Sequence, residues 1–67
     1  MRQSMTLLQR GVIKRLRESG YGSLADAAVH AWPQGERVNL PNLVSSNRPE
    51  LRADFDKANA QAAEAEH

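Results

Sequence analysis

Thr6-Leu7-Leu8-Gln9-Arg10-Gly11-Val12-Ile13-Lys14-Arg15-Leu16-Arg17-Glu18-Ser19-Gly20 is the stretch that decides the fold class. Thr6 and Gln9 have the spacing of a capping box, in which a hydroxyl accepts from one orphan amide and the Gln side chain returns to another. Met5, Leu8, Val12 and Leu16, with Ile13 beside them, recur at helical spacing and make one apolar stripe. At 100° per residue, Arg10, Lys14 and Arg17 fall about 140° from the centre of that stripe. The spacing therefore predicts a helix over residues 6–19, with one core face and one cationic face. Gly11 costs about 1 kcal/mol relative to alanine inside it, and either admits a close neighbour or simply weakens the helix. Gly20 suits the left-handed residue that ends it.

Moving outward, Ser23 followed by Asp26 predicts a second helix over 23–32, capped by the serine and helped by the acid at its N-terminal dipole. Leu24, Ala27, Ala28 and Ala31 supply its stripe, and Pro33 forces its end near Trp32. Pro33-Gln34-Gly35-Glu36 reads as a turn. Asn39 as cap, Pro41 in the first turn and the Leu40, Leu43, Val44 spacing predict a short third helix over 40–46. Ser46 or Asn47, with Pro49 in the first turn, starts a fourth helix over 48–63 whose apolar positions are Leu51, Phe55, Ala58 and Ala62. No segment alternates with the period of a strand. The expected fold is all-α, a compact bundle of three to four short helices. Its expected core is Leu8, Val12, Ile13, Leu16, Leu24, Ala28, Trp32, Leu40, Leu43, Val44, Leu51 and Phe55. Residues 1–58 are expected to form the domain, and the Ala-rich tail 59–67 to fray, with His67 disordered.

The chain has 67 residues, 40% of them hydrophobic, and no cysteine. That suffices for one small domain with a thin core and no disulfide staples. Association must then supply stability, so a homodimer is expected, burying the remaining apolar edge of the fourth helix. No apolar run approaches the roughly 18 residues of a membrane span, and Met1-Arg2-Gln3-Ser4 lacks the apolar region of a signal peptide. A cytoplasmic protein without membrane contact is the expectation.

Charge is segregated beneath a net +1. Residues 1–37 carry Arg2, Arg10, Lys14, Arg15, Arg17 and Arg37 against Glu18, Asp26 and Glu36. The remainder carries Arg48, Arg52 and Lys57 against Glu50, Asp54, Asp56, Glu64 and Glu66. The first 17 residues hold five cations and no acid, a field that attracts phosphates or an acidic protein. Chemistry finds little to use here. There is no cysteine nucleophile, and the second histidine is terminal. Asp26 and His30 share a helix face but lack further ligands for zinc. The carboxylates Glu50, Asp54 and Asp56 alternate with Arg52 and Lys57 as a solvated face does. The glycines match no phosphate-binding loop. No enzyme activity, catalytic residue, metal or cofactor is expected.

The run Ser23-Leu24-Ala25-Asp26-Ala27-Ala28-Val29-His30-Ala31-Trp32 resembles the recognition-helix end of Cro-type phage helix-turn-helix repressors, in which a similar Asp-Ala-Ala-Val-x-x-Trp run occurs. About ten residues carry the resemblance. It implies a small DNA-binding transcriptional regulator of phage or plasmid type, with Ser23, Ala25, Asp26 and His30 facing base edges while Ala27, Ala28 and Trp32 pack inward. Arg10, Lys14, Arg15 and Arg17 would attract phosphate. With Ser23 as cap, the connection Ser19-Gly20-Tyr21-Gly22 exceeds the three or four residues usual in the motif. A second register makes residues 40–46 the reader, presenting Asn39, Asn42, Ser45 and Ser46 to bases and Arg48 to phosphate. Its connection, Trp32 to Asn39, is longer still. The isoelectric point, 8.3, lies below the value of about 9 typical of dedicated nucleic-acid domains. A helical protein-interaction module that inhibits or modulates a larger host protein is therefore the alternative.

Overall fold

Two left-handed glycines and one proline divide this chain into its helices. The computed structural model describes residues 5–65. It contains α1 (Leu7–Glu18), α2 (Gly22–Ala31), α3 (Asn42–Asn47) and α4 (Pro49–Ala65), with a 3₁₀ turn at Trp32–Gln34 following α2 directly. The described residues form no strand, so the all-α expectation holds. No described helix is long and apolar enough to cross a membrane.

The capping box is present in full: Thr6 Oγ1 accepts from the Gln9 amide at 3.1 Å, and Gln9 Oε1 accepts from the Thr6 amide at 2.9 Å. At the other end, Gly20 takes φ 88°. Its amide donates to the Arg17 carbonyl, and the Tyr21 amide to the Leu16 carbonyl at 2.8 Å. This is a Schellman motif, which needs a residue without Cβ strain at the glycine position. Gly35, at φ 80°, ends the 3₁₀ turn in the same way, with the Glu36 amide reaching back to the Ala31 carbonyl at 3.0 Å. Between α3 and α4 stands a single residue, Arg48, at φ −135° and ψ 72°. Pro49 forces it out of the helical region and occupies the first position of α4, where a missing N–H is harmless.

Buried Val12, Ile13 and Leu16 of α1, Ala25 and Ala28 of α2, Trp32, Val44 of α3, and Leu51, Phe55, Ala58 and Ala62 of α4 form one core. Trp32 and Phe55 meet edge to face, 5.3 Å between ring centroids. The irregular segment 36–41 lies against this core through Val38 and Leu40. Asn59 fastens it. Its Oδ1 accepts from Trp32 Nε1 and from the Val38 amide, and its Nδ2 donates to the Val38 carbonyl, all at 2.8 Å. One residue thus satisfies the indole and stands in for a strand partner.

Several expectations are corrected. α2 starts at Gly22 with Tyr21 as its cap and no side-chain cap bond, so Ser23 lies inside the first turn. Its buried face is Ala25 and Ala28, whereas Ala27 is exposed. α3 begins after Pro41, two residues later than Asn39 as cap requires, and its short length turns only Val44 inward. Leu43 is therefore 69% exposed, not core. Leu8, Leu24 and Leu40 are half-buried at the core edge. Ser46 and Asn47 belong to α3 and do not cap α4. The boundary drawn at residue 58 falls inside α4, which continues to Ala65 with Ala62 fully buried. Leu51, Phe55, Ala58 and Ala62 of α4 are covered within the monomer, so the apolar edge that α4 still presents consists of exposed Ala53 and half-buried Ala60 and Ala63. His67 lies outside the described residues.

Candidate nucleic-acid interface

α1 reaches its neighbours through its two edges and turns a third face to solvent. On one edge, buried Gln9 donates from Nε2 to the Ala58 carbonyl at 3.0 Å, and Thr6 Oγ1 donates to Gln61 Oε1 at 2.6 Å. Arg15 continues this edge with an ion pair to Asp54 of α4 at 2.6 Å. On the opposite edge Arg17 pairs with Asp26 of α2 at 2.9 Å. Both pairs are largely solvent-exposed, so each contributes at most about 1 kcal/mol. Their effect on charge is larger, since each cation now stands beside a carboxylate.

The four α1 cations expected to attract phosphate thus divide. Arg10 and Lys14 sit on the solvent face and pair with no carboxylate among the described residues, while Arg15 and Arg17 are held by α4 and α2. Leu7, on the same face as Arg10 and Lys14, is 86% exposed. Arg2 lies outside the described residues.

The α2 candidates divide as well. Ser23 and His30 are exposed, and Asp26 is exposed with its carboxylate turned to Arg17. Ala25 is fully buried, which corrects its placement at base edges: a residue with no accessible surface touches no ligand. The phase of α2 explains the error, because its buried face is centred on Ala25, Ala28 and Trp32, with Leu24 at the core edge and Ala27 turned to solvent. Among the described residues no cluster of three metal-ligating side chains occurs, and Asp26 with His30 gains no third ligand.

The connection between α1 and α2 is shorter than the sequence suggested. Only Ser19, Gly20 and Tyr21 separate the helices, which is the length of a helix-turn-helix connection. In the other register, ten residues lie between the end of α2 and the start of α3, too many for the motif. Asn39, Asn42 and Ser45 instead line a groove with Arg37, Arg52 and Asp56, and Arg48 pairs with Glu50 at 3.6 Å. Sequence reasoning gave no role to Asn59 or to Arg37 and Arg52. The signal was an asparagine of poor helix propensity inside an alanine-rich helix, a residue that persists there when its amide has partners elsewhere.

The chain matches no protein-family model, no curated protein and no solved structure.

Proposed function

We propose that this protein is a small DNA-binding regulator of phage or plasmid type in which α1 and α2 form a helix-turn-helix pair. The three-residue Schellman turn at Gly20 carries the reading. It fixes α2 against α1 at the connection length the motif requires, and the Cro-like run lies on α2. Arg10 and Lys14 supply phosphate attraction, with Arg17 joining them at the cost of its pair to Asp26. Base readout falls to Ser23 and His30, a sparse set, so affinity is dominated by the phosphate backbone. Two-fold pairing onto a palindromic site, through the remaining edge of α4, belongs to the same proposal.

Two to three phosphate contacts give a salt slope of about −2 to −3, hence an affinity loss of roughly 10- to 40-fold between 50 and 200 mM salt. A gel shift on DNA from just upstream of the gene, with random DNA as competitor, tests the proposal. The doubly reversed variant R10E/K14E should lose the complex while keeping the parent circular dichroism spectrum, since both residues are exposed on α1. No shift of the parent at micromolar protein rejects DNA binding.

One observation favours a second reading. A leucine 86% exposed beside two cations that pair with no carboxylate among the described residues suits an acidic protein surface with an apolar pocket better than a phosphate backbone. In that case Leu7→Ala weakens partner binding as much as K14E does; on DNA it has no comparable effect.

A further inference from the structure

We propose that the groove between the 37–40 segment, α3 and α4 binds a small phosphate-bearing ligand of mononucleotide size. Its volume is about 270 Å³, near the lower end of ligand pockets, so it holds one phosphate and part of the group attached to it. Arg37 enters its lining from the 36–41 segment and Arg52 from α4. Neither pairs with a carboxylate among the described residues, although Asp56 lies one helical turn from Arg52 and lines the same groove. With the cation N-terminal to the acid, an exposed i, i+4 pair is only weakly favoured on a helix. Here it stays open, leaving two guanidinium groups at one concavity. Their planar forks match the paired oxygens of a phosphate.

The neutral lining is of matching chemistry. Asn39, Asn42 and Ser45 bring amide and hydroxyl groups that donate and accept, as recognition of sugar hydroxyls or a base edge requires. The wall is also preformed. Asn59 holds the Val38 backbone through both its N–H and its carbonyl, so the segment bearing Arg37 and Asn39 is fixed to α4 before any ligand arrives. This groove uses neither α1 nor α2, and its occupancy stands apart from the DNA-binding proposal.

A titration of the full-length ¹⁵N-labelled chain with adenosine 5′-monophosphate, inorganic phosphate and adenosine tests it. Amides of residues 37–45 and 52–59 are expected to shift saturably at millimolar nucleotide and with phosphate alone, and to stay unmoved by adenosine. R37Q and R52Q should each weaken binding about tenfold or more, the loss typical of a charge-assisted hydrogen bond. D56N should bind at least as well as the parent. K14E should leave the titration unchanged, which separates this result from any failure to bind DNA. A short oligonucleotide with and without a 5′-phosphate identifies the source: shifts with the phosphorylated form alone and none with the mononucleotide assign the groove to a nucleic-acid end. The proposal is overturned if none of the phosphate-bearing probes shifts these amides. It is equally overturned if the R37Q/R52Q double variant, with its remaining spectrum intact, binds like the parent.

Discussion

Replacing Asn59 by alanine sets two effects of opposite sign against each other. Alanine is the better helix former, by about 0.7 kcal/mol in a helix interior. Against this, three hydrogen bonds of 2.8 Å disappear, each with a net contribution of about 1 kcal/mol. Trp32 is only 1% exposed, so its indole N–H is left without water to replace the lost acceptor. The balance is a destabilisation of about 2–3 kcal/mol, which lowers the melting temperature by about 10–20 °C in a domain of this size. N59D retains an acceptor for both N–H groups but sets its second carboxylate oxygen against the Val38 carbonyl, so it should also melt below the parent. Circular dichroism melts measure the shift. Because Trp32 is the sole tryptophan, its emission reports on the same bond and should move to the red in N59A. An N59A variant that melts at or above the parent would show that the asparagine is a tolerated defect of α4 and that segment 36–41 is held by Val38 and Leu40 alone.

Other substitutions probe the remaining seams. Nothing lies within 4 Å of a Cβ built on exposed Gly11, so G11A should stabilise α1 by about 1 kcal/mol. The same change at Gly20, held at φ 88°, should destabilise by about 1 kcal/mol despite equally open space; urea midpoints of the two variants should move in opposite directions. Leu51→Ala should cost about 2–5 kcal/mol, and Leu43→Ala less than about 0.5 kcal/mol, since one is buried and the other mostly solvated. Equal melting temperatures for that pair would refute the core assignment.

What could be read from the sequence followed from how unambiguous each local signal was. Thr6, Gln9 and Gly20 each impose a backbone geometry that little else in the chain offers, and α1 lies within one residue of its expected ends. For α2 the phase was not legible. Its alanines at 25, 27, 28 and 31 are chemically identical, and which of them face inward is set by the turn at Gly20, through tertiary contact with α1. Leu43 was misplaced because a helix of six residues has too few turns for a stripe to define its inward face, and only Val44 turns to the core. The division of the cations was invisible for a different reason. Asp54 lies 39 residues from Arg15, and no local spacing rule joins them. Of the candidate site, the exposure of Arg10, Lys14, Ser23 and His30 could be read, while the burial of Ala25 could not. Asn59 and the arginines of the groove come together only when segment 36–41 folds back on α4.

The seam between α1 and α4 also sets an order of events. Most interhelical contacts join elements adjacent in sequence, α1 with α2 and α3 with α4, and these close short loops. The bonds Gln9 to Ala58 and Thr6 to Gln61 span 49 and 55 residues, so they are reached only after a large loss of chain entropy. Two helical hairpins should therefore form early and dock late. Changes at Gly20 should then alter the refolding rate, whereas loss of the Gln9 or Arg15 contacts should chiefly accelerate unfolding. Lifetime in the folded state would be governed by this end-to-end clasp, leaving the speed of folding to the turns.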